Sequence, residues 1–135
     1  MDISVIYRKS GINKSEHTFF NEFIKFLQKN YPLEKNVNIY FLGTRIKGMT
    51  TGERTDEHEL LILSSGRLNR DIIRTLSHEW IHEYQHAIKH KKKGKDIGGH
   101  LENEANSLSG ELVKKFERYH PKFKKLIYKT HEKFN

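Results

Sequence analysis

The feature that most constrains this chain is a continuous helical pattern that begins near Asn69 and contains His78-Glu79-Trp80-Ile81-His82. Asn69 is a suitable N-cap residue, and Asp71 suits the positive first turn of a helix. Apolar residues recur at helical spacing on one face, roughly opposite the direction of the two histidines; they are Ile73, Leu76, Trp80, Tyr84, Ala87 and Ile88. The pattern predicts a helix that packs through one face and presents His78 and His82 on the other.

The spacing of the two histidines has a chemical consequence. Residues four apart on an α-helix lie about 40° apart and one turn along, so the imidazoles of His78 and His82 can converge on one ion. Glu79 then lies beside the ion, where its carboxylate can take a proton from metal-bound water. The chain has no cysteine, so histidine and carboxylate must supply any ligands. The motif predicts a metal-dependent hydrolase, with a histidine-rich solvated helix face as the alternative.

Two further histidines, His86 and His90, continue the four-residue spacing and form a stripe along the helix with His78 and His82. From His78 to His90 this stripe turns around the helix by ~120°, so the four histidines cannot all bind one ion. We expect His90 at the surface, and His86 either at the surface or beside a ligand. The Lys-rich run 89–95 is expected to end the helix as a solvated loop, with a nucleic-acid contact as the alternative.

The remaining segments predict a small sheet with flanking helices. Three stretches have strand-like composition: 2–8, 37–42 and 59–63. Ser15 is the predicted N-cap of a phenylalanine-rich helix that ends before Pro32, and residues 48–56 predict an exposed loop or a wide hairpin. We therefore predict one α+β domain over residues 1–135, with a sheet of about three strands packed on the histidine-bearing helix.

A catalytic zinc site needs a third protein ligand and one position left open for water. After the histidine pair, the candidates are His100, Glu102 and Glu104. Glu104 lies at the edge of the apolar face of the helix that contains them, and Glu102 lies further towards solvent. The residues of this face are Leu101, Ala105, Leu108, Leu112, Phe116 and Tyr119. Helical geometry therefore favours Glu104 as the ligand and Glu102 as a residue that stabilises the first turn.

Together these residues resemble the gluzincin pattern of zinc metallopeptidases, because Glu104 follows His82 by 22 residues. The segment 102–106 is similar to the Asn-Glu-Ala segment of thermolysin-type enzymes and to the Glu-x-Glu-Ala segment of the small ImmA/IrrE-like peptidases. The resemblance covers roughly residues 69–116. It implies a minimal zincin fold with Zn²⁺ bound by His78, His82 and Glu104, and peptide-bond hydrolysis with Glu79 as general base.

The chain departs from this pattern in two respects. Thermolysin-type segments have an Asp four residues after the ligand Glu, where this chain has Leu108. Asn106 is the candidate for orienting a ligand imidazole instead. No residue matches the family's transition-state donor, for which the candidates are His100, Tyr84, His58 and Arg54.

A second resemblance competes with the first. The histidine motif followed by Gly99-His100 is similar to SprT-like peptidases, in which three histidines bind zinc and which act on proteins crosslinked to DNA. The net charge of +8 suits a nucleic-acid partner, although a Lys-rich solvated surface has the same charge. The interval from His82 to His100 is long for that family, so Glu104 is favoured. A non-catalytic, basic nucleic-acid-binding module is the alternative from another class.

The sequence contains no membrane signal. No apolar run approaches the ~20 residues that cross a bilayer, and the first residues lack the pattern of a signal peptide. We therefore expect a cytoplasmic protein without membrane contact, whose partner is a peptide or protein substrate. Which substrate it acts on stays open, with repressor cleavage, a phage role and crosslink repair as alternatives.

Overall fold

The computed structural model describes residues 1–89 and 99–131. In chain order the elements are β1 (Ile3–Arg8), α1 (His17–Asn30), β2 (Val37–Leu42), β3 (Gly52–Arg54), β4 (Glu59–Leu63), α2 (Asn69–Lys89), α3 (His100–Tyr119) and α4 (Lys124–Ile127). Short 3-10 turns precede α1 and α4, at Lys14–Glu16 and Pro121–Phe123. The predicted α+β class is confirmed. None of the described helices has the length and apolar character needed to cross a membrane.

The sheet has four strands in the order β1-β2-β4-β3, one more than the sequence predicted. β1 pairs parallel with β2, and β2 pairs parallel with β4. The additional strand, β3, lies within the predicted loop or hairpin 48–56 and pairs antiparallel with β4. Gly, Glu and Arg have little β-propensity, so β3 is formed by pairing with β4 and was not recognisable from its composition. In the described residues β4 is its one strand neighbour, so β3 forms an edge of the sheet.

Helices α1, α2 and α3 enclose an aromatic core together with one face of the sheet. The fully buried side chains include Phe19, Phe20 and Phe23 of α1, Phe41 of β2, Trp80 of α2 and Phe116 of α3. Trp80 satisfies its indole N–H by donating to the Tyr31 carbonyl at 2.8 Å. The predicted packing face of α2 is confirmed from Ile73 to Trp80, whereas Ile88 is 57% exposed.

The start of the long helix is held by a buried polar cluster. Asn69, predicted as its N-cap, is instead its first residue, and the Nδ2 group donates to the Leu126 carbonyl at 2.8 Å and to Glu16 Oε1 at 3.2 Å. His131 Nε2 contacts Asn69 Oδ1. Ser15, the other predicted cap, lies within the 3-10 turn before α1, where the Asn13 amide donates to Glu16 Oε2 at 3.1 Å. The predicted helices exist, but the cap residues have tertiary roles or lie inside a turn.

Candidate metal centre

Helix α2 brings His78 and His82 together one turn apart. Their Nε2 atoms are 3.0 Å apart, and both side chains are largely buried, with 16% and 22% of their area exposed. The carboxylate of Glu102 joins them from the first turn of α3. Its Oε1 lies 2.7 Å from His78 Nε2, and its Oε2 lies 2.9 Å from His82 Nε2. Two imidazole nitrogens and a carboxylate, all within 4.8 Å of one another, form a donor set that suits Zn²⁺.

The structure brings Glu102 to the histidine pair, and not the predicted Glu104. Glu104 lies on the other flank of α3, where its Oε1 accepts a hydrogen bond from Gln85 Nε2 at 2.8 Å. Glu102 does lie in the first turn, as predicted, but it also contacts both histidines.

The rotation of α3 explains this difference. Its buried residues are Ala105, Ser109, Leu112, Val113 and Phe116, whereas Tyr119, predicted to face inwards, is 63% exposed. Glu102 lies three residues before Ala105 and seven before Ser109, so it is in line with this buried strip, whereas Glu104 is rotated from Glu102 by about 200° and lies off the strip. The predicted apolar face, which included Leu108 and Tyr119 and not Ser109 or Val113, was centred further from Glu102. Tertiary packing turns the buried face of α3 towards Glu102 and brings this carboxylate to the histidines.

Gln85 links the candidate ligand His82 to Glu104. The Gln85 Nε2 group donates to the Leu101 carbonyl at 2.9 Å and to Glu104 Oε1 at 2.8 Å. Both partners are acceptors, so the amide oxygen must face the other way, where it accepts from His82 Nδ1 at 2.9 Å. Nδ1 therefore carries the proton, and Nε2 has its lone pair directed towards Glu102 and His78. Sequence reasoning missed Gln85, although its position one helical turn after His82 was a usable signal.

The other histidine of the pair, His78, has its own neighbours. Burial lowers the pKa of His78 and the nearby His82 lowers it further, whereas the charge of Glu102 and the side-chain hydrogen bonds that Glu102 and Asn106 accept raise it. Asn106 therefore contacts a candidate ligand imidazole, the role considered for it from the sequence. A neutral imidazole is the form that binds a metal ion.

Glu79 lies beside the pair and is nearly buried, with 8% of its surface exposed. Burial raises the pKa of Glu79 to about 7, and Glu102 and Glu53 also raise it, while His82 and Arg54 lower it. A carboxyl group that titrates near neutral pH can both accept and return a proton there. This is the behaviour expected of a general base.

A cleft of about 390 Å³ gives access to these groups, and we call it the metal cleft. Its walls include Thr51 and Gly52 at the start of β3, Thr75 and Glu79 of α2, and Glu102 of α3. The β3 backbone comes close to the base: a Cβ atom added at Gly52 would lie 3.2 Å from Glu79 Oε2. The edge strand therefore forms one wall of the metal cleft.

The candidates for a transition-state donor have other partners. Arg54 Nε donates to Glu83 Oε1 at 2.7 Å, and His58 Nδ1 lies 2.7 Å from Glu83 Oε2. The Tyr84 ring packs edge-on against the Tyr31 ring at 5.2 Å. His100 is exposed at the start of α3 and does not belong to the ligand group among the described residues. The Arg54–Glu83–His58 cluster instead ties β3 and the turn after it to α2.

His86 and His90 are the two outer histidines of the predicted stripe. His86 is exposed, as expected for a histidine displaced around the helix. The predictions for His90 and for the loop formed by run 89–95 concern residues outside the described ranges.

Comparison of the chain with known protein families, with curated proteins and with solved structures finds no match. The chemistry of the candidate metal centre and of the motif residues is therefore the basis for inferring function.

Proposed function

We propose that this protein is a zinc-dependent peptidase of minimal zincin architecture, in which Glu79 is the general base. The observation that carries the proposal is the convergence of His78, His82 and Glu102 next to a nearly buried Glu79 in an open cleft. The residues fit the metal, because two neutral nitrogens and one carboxylate are the ligands of several catalytic zinc sites. We assign Glu102 as the third ligand, with Glu104 acting on His82 through Gln85.

The protein side chains have separable roles in peptide hydrolysis. Bound Zn²⁺ would supply Lewis-acid chemistry, polarising the scissile carbonyl and acidifying water. Glu79 takes the proton of the attacking water and passes it to the leaving amine, and burial, which raises the pKa of its carboxyl, favours this return of the proton. Gln85 keeps His82 in the tautomer whose Nε2 can bind.

The edge strand supports a peptide as the substrate. β3 pairs with β4 on one side, and Gly52 at its start lies against Glu79. An extended peptide can add to a free strand edge through main-chain hydrogen bonds. Such pairing along β3 would carry a peptide bond past Glu79.

Metal analysis of untagged protein tests the centre directly. We expect about one zinc per chain, retained in Glu79→Gln and lost in His82→Ala, because Glu79 is not a ligand. His86→Ala is the matched control, since this exposed histidine lies one turn further along the same helix and should leave zinc unchanged. Glu79→Gln should keep the metal and lose peptide hydrolysis. Hydrolysis by zinc-loaded Glu79→Gln at the wild-type rate would contradict the mechanism.

The third ligand needs a separate comparison. Alanine variants of Glu102, Glu104 and His100 are titrated with zinc against a chromophoric chelator. We expect the largest loss of affinity for Glu102→Ala, a smaller loss for Glu104→Ala and no change for His100→Ala. The largest loss in either of the other two variants would reject Glu102 as the ligand.

A further inference from the structure

A second hollow adjoins the metal cleft where β2 and β4 end. It has a volume of about 490 Å³ and is lined in part by Thr44, Arg45, Thr51, Ser65 and Arg67. Thr51 lines both cavities and directly precedes β3. We call this second cavity the arginine hollow. It lies next to the metal cleft, on the side where the edge strand begins.

The arginine hollow is positively charged. Its lining contains two guanidinium groups and, in the part of the chain that the structure describes, no Asp or Glu. Burial lowers the pKa of Arg67, the charge of Asp71 raises it, and the charge of Arg45 lowers it. The guanidinium groups of Arg45 and Arg67 are therefore near one another. Such a site attracts an anion, since neighbouring cations raise the local potential.

Arg67 is held rigidly in the wall between the cavities. Its Nη1 donates to the Leu63 carbonyl at 2.7 Å, and its Nη2 donates to Thr75 Oγ1 at 2.9 Å. Thr75 also lines the metal cleft. Arg45 is exposed, and the described residues contain no ion pair to its guanidinium. Arg67 therefore contributes a fixed charge, and Arg45 contributes a guanidinium that can form a bidentate contact with an incoming anion.

We propose that the arginine hollow binds an acidic side chain of the peptide substrate, at a fixed position relative to the scissile bond. This inference rests on the proposed peptidase function. A peptide that pairs with β3 passes Gly52 beside Glu79 and reaches Thr51, where the arginine hollow begins. Residues of an extended chain are about 3.3 Å apart, so this position is within a few residues of the cleaved bond.

The polarity of the two cavities supports the same assignment. Glu79, Glu102 and Arg74 line the metal cleft, so both signs of charge are present near the reacting bond. Arg45 and Arg67 lie in the adjoining hollow, where Thr44 and Thr51 add hydroxyl groups. An acidic substrate residue is attracted to the two guanidinium groups of this hollow, which favours one register of the peptide on β3.

Cleavage of a complex peptide mixture by the zinc-loaded protein tests the inference. We expect Asp and Glu to be enriched at one position around the cleaved bonds. Matched peptides with Glu, Gln or phosphoserine at that position then give kcat/KM values. Glu should exceed Gln by about tenfold or more, in keeping with hydrogen bonds to charged groups.

Two charge reversals provide the matched comparison. Arg45→Glu should remove the preference for Glu and favour Lys at that position. Lys47→Glu makes the same change of charge two residues away, and Lys47 does not line the arginine hollow, so it should preserve the preference. Both residues are exposed, so folding should survive either change.

The outcomes separate the two proposals. Cleavage without an acidic preference, or equal effects of Arg45→Glu and Lys47→Glu, would overturn the arginine hollow as a subsite and leave the peptidase proposal standing. A preference for phosphoserine with none for Glu would overturn the carboxylate assignment, because the anion would then be a phosphate. If the zinc-loaded protein cleaves no peptide, the proposed function fails and the subsite fails with it.

Discussion

The imidazole of His82 is oriented by an amide that lies outside the metal motif. Gln85 is 3% exposed and uses its oxygen for His82 and its nitrogen for Glu104 and a main-chain carbonyl. All three contacts are satisfied at once, so the ring of His82 has one favourable tautomer. Glu104 therefore affects the centre without being one of its three converging donors.

Removing this amide should weaken metal binding. Gln85→Ala leaves His82 Nδ1 without its acceptor, and loss of such a partner typically costs roughly 10–100-fold in metal affinity. Competition with a chromophoric chelator measures the change, and His86→Ala serves as the control on the same helix. Thermal unfolding of the metal-free variants separates lost packing from lost orientation. An unchanged zinc affinity in folded Gln85→Ala would show that the amide does not position the ring.

β3 is the shortest of the described strands, and its first residue, Gly52, lies against the side chain of Glu79. A Cβ atom added at Gly52 would lie 2.5 Å from Thr75 Cγ2 and 3.2 Å from Glu79 Cγ. Because the facing atoms belong to a packed helix, a larger residue must displace β3 or α2. The glycine thus sets the separation between the edge strand and α2.

Gly52→Ala should therefore lower stability and activity together. Overpacking of this kind typically costs about 1–3 kcal/mol of unfolding free energy, measured by urea denaturation. Adding Thr75→Ser should recover part of the loss, because serine lacks Cγ2 but keeps the hydroxyl that Arg67 contacts. Gly110→Ala is the control, since its nearest neighbour would be Arg74 Nη2 at 3.9 Å. Wild-type stability in Gly52→Ala would contradict the close contact.

At the scale of the whole molecule, a buried polar cluster connects His131, at the end of the described residues, to the segment before α1 and to the start of α2. His131 Nε2 contacts Asn69 and lies 3.7 Å from Glu16 Oε1, while its Nδ1 lies 3.1 Å from the Gly11 carbonyl. Burial lowers the pKa of His131 and Lys129 also lowers it, whereas Glu16 and the Gly11 carbonyl raise it. Both ring nitrogens face acceptor oxygens, which favours the protonated ring, but burial is the larger effect and the folded state favours the neutral imidazole.

This cluster predicts a loss of stability in mild acid. The pKa of His131 in the folded state is below its unfolded value of 6.5, so below pH 6.5 the unfolded chain binds more protons than the folded protein. The contribution of His131 to the free energy of unfolding is therefore complete above pH 6.5 and declines as the pH falls towards the folded-state pKa. Urea denaturation between pH 8 and pH 5, with chelator present, should show a smaller decline in His131→Gln than in wild type. Exposed His100→Gln is the control, and equal declines in wild type and His131→Gln would refute the assignment.

Much of the fold could be predicted because its signals are local. The alternation of Val37, Ile39 and Phe41 and the periodicity of α2 follow from which side chains avoid water, so the class and the main elements were predictable. β3 was not, since a three-residue edge strand with glycine exists only because β4 offers it a partner.

The sequence alone was sufficient to predict the histidine pair and its candidate base, because a helix rigidly relates residues one, three and four positions apart. His78, Glu79 and His82 needed no tertiary contact to share a site. The choice between Glu102 and Glu104 depended on tertiary structure, since packing decides which face of α3 is buried, and that face is turned towards Glu102. The same holds for Gln85, whose partner Glu104 lies on another helix, and for the arginine hollow, whose two arginines follow different strands.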